Sequence, residues 1–496
     1  MVLYKRSGSD GKHHPTESGY RKLCSIDSFF RRGRDEMIKE QTYPNADKLM
    51  RVLAFTLVFS VMNAFMFNVV MPVIREEFHI SASDVSWLLT GYMIVYAVGS
   101  VTYGKLADKY RLKDLLTFGI IFFALGSLIG LLANQFWMLI VARLLQAAGA
   151  AVIPATAMIV PVRYFSAEKR GRALGITAIG LALGTALAPI ISGLITGFAS
   201  WRFLFIISML PLIALPFFRK YLDDQRGENQ KFDFLGGMLL GGTVAFLLLS
   251  ISQSNIIFFL VGIVLFALFI WRITTAKDPF IQPKLFRNKQ YSYGLFIAFL
   301  GAGVSFGLPY LAPQFLNSLN QLAPATIGLI MFPAAIASAL LGKSGGRLAD
   351  SKGNSFLVYT AVTLMFICFI SLSTFVGASP YLILFLLIFG NVGQTFMQIA
   401  MSNTISRTLS RDQIGVGMGL LSLLNFISGA VTTSILGKTL DTSSTFHLNP
   451  VVTNVQVFNF SNIFTVLALI ALATMGLYAL QFRRGPRRNT TAAQQG

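Results

Sequence analysis

The sequence predicts an all-α integral membrane protein of fourteen transmembrane helices, arranged as two six-helix halves plus an inserted helix pair, with both termini cytoplasmic. Three observations carry this prediction. Of the 496 residues 54% are hydrophobic and only 12% charged, half the charge of an ordinary soluble domain and too little to cover a water-facing surface of this length. Apolar runs of about 20 residues, long enough to cross roughly 30 Å of hydrocarbon, recur along the chain with short polar breaks. The third observation is where the cations fall. Lys and Arg outnumber Asp and Glu by 41 to 21, a net charge of +20 that in a soluble protein would point to nucleic acid.

The runs justify themselves in order by their apolar length and charged borders. The first two, 52–73 and 85–106, lie between Arg51, Arg75 and Asp84; 115–133 and 137–160 follow the charged loop from Lys109 to Asp114. The fifth, 173–195, follows Glu168, Lys169 and Arg170, and the sixth, 203–218, follows Arg202. The seventh and eighth, 235–252 and 256–271, come after the charged stretch from Asp223 to Asp233. The last six are 292–316, 326–345, 356–376, 381–404, 416–437 and 462–482. Helices are expected throughout, because a helix satisfies its own backbone within lipid and no run alternates like a barrel strand.

With a cytoplasmic N-terminus, 37 of the 41 Lys and Arg fall on the inside. Only Arg75, Arg202 and Lys438 lie outside, and Arg143 alone sits in the interior of a span. A missed or invented helix would scramble this alternation, so the positive-inside rule supports an even number of spans. The charge excess therefore orients the chain in a bilayer and implies no nucleic-acid partner. Residues 1–47 form a polar, basic tail expected to be disordered. The expected divisions are a half over 48–220, a helix pair over 221–274, a half over 275–482 and a cytoplasmic tail over 483–496.

Nothing in the chain advertises catalysis. Cys24 and Cys368 lie far apart and imply neither a disulfide nor a thiolate metal site. The histidines form no ligand set, and no phosphate-binding loop or nucleophile elbow appears, so no enzyme activity, metal or cofactor is expected.

The chain does carry a repeat. Gly104-Lys-Leu-Ala-Asp108 follows the second span, and Gly346-Arg-Leu-Ala-Asp350 follows the tenth. Both lie at the same end of the second helix of a six-helix unit, the plan of a transporter with parallel halves. Further motifs are Lys109 and Lys113 after the first repeat, Arg143-Leu-Leu-Gln146-Ala-Ala-Gly149 in the fourth span, and Gly175, Gly184, Ala188-Pro189 and Gly193 in the fifth. The loop from Asp278 to Arg287 precedes the ninth span. On these residues the chain resembles the fourteen-helix drug:proton antiporters of the major facilitator superfamily, and is similar to tetracycline and multidrug efflux proteins of Gram-positive bacteria. The loop signature departs from the family pattern at Arg111 and Leu112. The fifth-span motif has Ala188 and Ser192 where glycines are usual.

The resemblance implies a monomeric exporter in a bacterial plasma membrane, working on amphipathic small molecules with protons as the coupling ion. It implies conformational gating by Gly104, Asp108, Lys109, Lys113 and Asp350. It implies a bending, closely packed helix at Gly175, Gly184, Pro189 and Gly193. For Arg143 it implies proton handling or polar anchoring.

One feature of the residues cuts against that pattern. All 21 acids lie in the tail, in loops or at helix ends. The related exporters carry a carboxylate in the first span, where this chain has Asn63-Ala-Phe-Met-Phe-Asn68. A carboxylate in low dielectric is the simplest proton carrier, so coupling here falls to interfacial acids: Asp84, Asp233 or Asp441. Polar stripes at helical spacing are candidates for substrate binding: Asn391, Gln394 and Gln398 on one helix face, Asn425 in the next span, Tyr92 and Tyr96 in the second, with Asn63 and Gln146. Helix–helix hydrogen bonding is the plainer use of the same residues. Such a pocket favours neutral, zwitterionic or weakly anionic amphipaths. The alternative function on this scaffold is a uniporter, importer or lipid-type flippase without classical proton coupling.

Overall fold

The computed structural model describes residues 45–107, 109–165, 167–224, 233–409 and 413–482. Among these residues there is no strand, and fourteen helices are long and apolar enough to cross a membrane. They are α1 (Ala46–Phe78), α2 (Ala82–Leu106), α3 (Leu112–Leu131), α4 (Phe136–Pro161), α5 (Ile179–Phe198), α6 (Trp201–Tyr221) and α7 (Phe234–Gln253). The rest are α8 (Ile256–Thr275), α9 (Lys289–Ser318), α10 (Pro324–Ala349), α11 (Asn354–Thr374), α12 (Pro380–Ser406), α13 (Val416–Leu440) and α14 (Val455–Phe482).

Local chemistry sets the helix ends. Ser81 and Asp84 form a capping box that starts α2. Asp233 caps α7 and Asn288 caps α9, while Pro324 and Pro380 occupy first-turn positions where no backbone N–H is needed. The sixth span corrects the sequence reading, which took it as one helix. It is a chain of short 3-10 and α segments, Trp201–Phe203, Leu204–Ser208, Leu210–Ala214 and Leu215–Tyr221. Pro211 and Pro216 each lack a backbone donor, which prevents a continuous ladder. The fourth span also breaks, at Ala151, with Pro154 just beyond the break.

Helices α1–α6 pack among themselves, as do α9–α14. The two groups meet along α2 with α13, α5 with α10 and α1 with α9. Helix α7 lies against both α2 and α13, and α8 packs on α7. The far face of this pair, with Ile257, Leu260, Val264 and Trp271 exposed, is a surface for lipid tails.

The two groups touch closely at one end. At that end a Cβ on Gly193 would lie 2.8 Å from the Pro324 carbonyl oxygen, so only a glycine allows α5 and α10 to approach so closely. At the other end, where the loops carry Lys105, Lys109, Arg111 and Lys113, Cβ atoms at Gly104, Gly346 and Gly419 would meet nothing within 4 Å. The end at which α5 and α10 touch is termed the sealed end, and the basic end, where these three glycines stand clear of their neighbours, the open end.

Candidate functional site

Arg143 lies in the interior of the first group of helices, 1% exposed. Its guanidinium is stacked between two rings, with Cζ 4.5 Å from the Phe67 centroid and 4.2 Å from that of Tyr92. Nη1 donates to Asn63 Oδ1 at 2.8 Å and to Gln146 Oε1 at 3.0 Å, and Nε donates to the Leu88 carbonyl at 3.2 Å. Gln146 follows Arg143 by three residues and so shares its helix face.

The network runs outward from both amides. Asn63 Nδ2 donates to Ser208 Oγ at 2.6 Å and Gln146 Nε2 to Ser127 Oγ at 2.8 Å, and each serine donates onward to a carbonyl in its own helix. Five helices, α1, α2, α3, α4 and α6, are thereby joined through one cation. A lone arginine inside a membrane helix costs roughly 2.5–3.5 kcal/mol on insertion scales. Cation–π stacking, about 0.5–2 kcal/mol per ring, and neutral acceptors offset that cost without cancelling the charge. Among the described residues no carboxylate bonds Arg143, and its Nη2 and the Tyr92 hydroxyl have no hydrogen-bond partner.

Tyr92 stacks on Tyr96 with centroids 5.7 Å apart, and Tyr96 meets Phe426 of α13 edge-on at 4.7 Å. That contact belongs to a seam in which α2 and α13 run antiparallel in a fixed register. From the sealed end inward, Ala82 meets Asp441, Ser86 meets Gly437, Thr90 Oγ1 lies 3.0 Å from Thr433 Oγ1, Met93 meets Gly429, and Tyr96 meets Phe426. The steps of three or four residues are those of one helix face. Continued at the same register, the seam would set Gly104 opposite Gly419. A Cβ on either would meet nothing within 4 Å, so the two glycines are not packed against each other.

The three interfacial acids occupy unlike places. Asp84 bonds within its own capping box and lies 3.4 Å from Gln253 Nε2 of α7. Asp233 is buried and saturated at the open end: it accepts from Arg272 Nε at 2.9 Å and from the backbone N–H groups of Gly236 and Phe280, both at 3.1 Å. Burial alone would raise its pKa, but Arg272 and the two N–H donors outweigh burial and hold it below the usual carboxylate value. Asp441 accepts from the backbone N–H groups of Ala82 at 2.7 Å and Ser83 at 2.8 Å, across the two groups of helices.

Around the loop signature, Lys113 and Arg111 pair with Asp224, just past α6. The Lys113 hydrogen bond is the main cause holding the exposed Asp224 carboxyl below its usual pKa. Lys109 is exposed and lies over the Tyr110 ring at 5.3 Å. Lys105 donates to the Pro279 carbonyl at 3.0 Å, tying the end of α2 to the loop before α9. Asp108 lies outside the described residues, as do the Asp350 side chain and the surroundings of Gly175. Gly184 faces α1, where a Cβ would lie 2.6 Å from the Val58 carbonyl oxygen, while Pro189 and Gly193 face Gly328 of α10.

Of the residues selected for substrate binding, the structure brings Asn63, Gln146, Tyr92 and Tyr96 together around Arg143. The amides of the other half stand apart from that cluster. Asn391 donates to Leu387 of its own helix at 3.0 Å; Gln394 and Asn425 are half-buried and Gln398 is exposed, none of them hydrogen-bonded to a described residue of the cluster. Sequence reasoning missed Ser127 and Ser208, the ends of the Arg143 network, and the Thr90–Thr433 contact. A small or hydroxylated residue on an interior helix face was the available signal, and it is shared by many positions that do nothing of the kind.

The comparisons with known proteins agree with this architecture. The model of the Major Facilitator Superfamily matches residues 53–433. The riboflavin transporter RibZ of Clostridioides difficile (strain 630) is 26% identical over 405 residues, covering 80% of this chain and 88% of that protein. The lincomycin resistance protein LmrB of Listeria monocytogenes is 27% identical over 386 residues, covering 74% and 81%. Among solved structures, an inward-facing, unoccupied bacterial homologue of the human lysosomal transporter Spinster superposes with a TM-score of 0.64 at 14% identity, covering 89% of this chain and 97% of that one, a likeness of fold alone. A family match over most of the length, together with fourteen membrane-crossing helices, makes this a multi-pass cell-membrane transporter of small molecules rather than an enzyme: the chain belongs to the Major Facilitator Superfamily.

Proposed function

We propose that the protein exports amphipathic small molecules from the cytoplasm by alternating access, in exchange for protons. The moving bodies are the halves over 48–220 and 275–482, which rock along the α2/α13 and α5/α10 seams, with the pair over 221–274 alongside. The positive-inside rule sets the basic, open end and both termini in the cytoplasm, so the conformation described above is the one that loads substrate. The reading rests above all on Arg143: a buried cation among amides and rings, with no acid beside it. Such an interior favours neutral, zwitterionic or weakly anionic amphipaths, because a lipophilic cation would gain from a buried carboxylate and would be repelled by the guanidinium.

The relatives named for riboflavin and lincomycin supply the probes. In liposomes holding an imposed pH gradient, addition of either compound is expected to move protons, read as a change in lumenal pH. No compound-dependent proton movement, with labelled compound still equilibrating across the bilayer, overturns exchange with protons. It would leave the second reading, a uniporter, importer or lipid-type flippase, which the absence of any acid from the span interiors favours.

Alternating access also requires the open end to close. At the seam register Gly104 and Gly419 then come face to face. Gly419→Leu is therefore expected to leave thermal unfolding nearly unchanged, since a Cβ there meets nothing within 4 Å in this state, and to lower transport at least about tenfold. Transport at the native rate would show that the seam does not close at this level.

A further inference from the structure

Asp441 is a carboxylate whose hydrogen bonds join the two groups of helices. Glu77 bonds Trp201 and Arg202 and Asp224 bonds Arg111 and Lys113, all within the first group. Asp233 joins α7 to α8 and the Phe280 loop, and Asp84 reaches only α7 outside its own cap. We propose that Asp441 is the gating residue of transport: an external-pH-sensitive latch whose carboxylate, seated on the first turn of α2, holds the outer end of the seam shut.

The geometry supplies each part of the device. Asp441 ends α13, and its two oxygens accept the N–H groups of Ala82 and Ser83, the first two residues of α2. A helix start has unpaired N–H donors and a positive dipole end, and charge-assisted bonds to a carboxylate are about twice as strong as neutral ones. Asp441 is the outermost rung of the α2/α13 seam, so its release frees the end from which the seam must unzip. It is exposed, and protons reach it from the water at the sealed end. The bound proton removes the negative charge and blocks one acceptor oxygen. It comes from the outer water and returns there when the latch re-forms. Asp441 therefore gates opening and carries no proton across.

The groups around it point the same way. Tyr310 of α9 lies within electrostatic reach of both Asp441 and Arg75, the cation at the end of α1. Lys438, one turn earlier on α13, is engaged with the Ser252 carbonyl of α7 at 3.1 Å. Asp84, the one acid in the first turn of α2, is turned into its own cap, and the end of α7 offers only Ser252 and Gln253. Among the described residues no side chain of opposite charge is bonded to Asp441, and its bonds to the seam are those two N–H groups.

The latch deepens the exporter reading but is tested without substrate, so either can fail alone. Spin labels on Asn134→Cys and Ser379→Cys, in the loops of the two groups at the sealed end, with Cys24→Ser and Cys368→Ala, report the separation of the full chain in lipid nanodiscs. At pH 8 one short distance is expected, and at about pH 3.5, below the ordinary aspartate value, a longer component that grows about threefold. Asp441→Asn should show the longer component at both pH values, with an open-to-closed ratio about tenfold above native at pH 8. Asp441→Glu should restore the pH response, and Glu76→Gln, at an exposed acid of the same end, should retain it. Native distances that ignore pH, or an Asp441→Asn chain that keeps the native distances and response, overturn the proposal. Restoration by Asp441→Glu separates a lost latch from a misfolded chain.

Discussion

The two halves solve the problem of interior polarity in opposite ways. In the first, a single cation sits at the centre, and Asn63, Gln146, Ser127 and Ser208 radiate from it until five helices share one network. In the second, the polar cluster is uncharged and lies at the rim of the sealed end. There Ser373 of α11 meets Ser461 and Thr465 of α14 at 2.9 and 2.8 Å, and Asn449 closes over it at 3.0 Å. The central amides of that half, Gln394 and Asn425, are left without such ties. A charge inside a membrane must be surrounded, and surrounding it fixes its neighbours. Uncharged amides carry no such demand and remain available to a ligand. The contrast makes the first half the rigid partner and the second the adaptable one.

The strongest way to break that contrast is to remove its centre. Arg143→Ala strands the Asn63 and Gln146 oxygens and empties the space between Phe67 and Tyr92, and is expected to destabilise by about 2–4 kcal/mol. Asn425→Ala should stay within about 0.5 kcal/mol of native while weakening substrate binding. Thermal unfolding in detergent measures both, and equal losses would erase the distinction between the halves. Ser373→Ala, which unties the rim of the second half, is expected to cost about 1–2 kcal/mol. A loss as large as that of Arg143→Ala would mean that the rim cluster matters as much as the charged centre.

The smallest effect is a pH dependence at the open end. The Asp233 pKa is lowered on folding, so its stabilising contribution is fully present above the unfolded value near 3.9 and is lost as pH falls through the lower folded one. The gap in unfolding temperature between native and Asp233→Asn should therefore stay constant from pH 8 to about pH 5 and narrow below about pH 4. A gap that changes between pH 6 and 8 would assign Asp233 a titration that its neighbours forbid.

Much of this architecture was legible along the chain. A membrane span is a local property, set by about 20 apolar residues in a row, and the bias of Lys and Arg is a count over loops. Arg143 stood out because a charge amid apolar residues is conspicuous, and Gln146 could be placed beside it from helical spacing alone. The broken sixth span was within reach, since Pro211 and Pro216 are plain in the sequence, but total apolar length outweighed them. Ser127 and Ser208 were not within reach. Hydroxyls are common in membrane helices, and which ones meet is decided by how α3 and α6 are rotated toward α4.

The interfacial acids mark the boundary most clearly. By itself the sequence determined that all 21 acids lie outside the span interiors and that the single interior charge is positive. It left Asp84, Asp233 and Asp441 on an equal footing, because each is an Asp at a helix end with small or apolar residues beyond it. Only the tertiary structure separated them, into a cap, a saturated ion pair and a bond between the two groups of helices. The partners of Asp441 lie 359 and 358 residues away. No local periodicity records a contact of that kind, because it exists only once two helices from opposite ends of the chain have been brought into register.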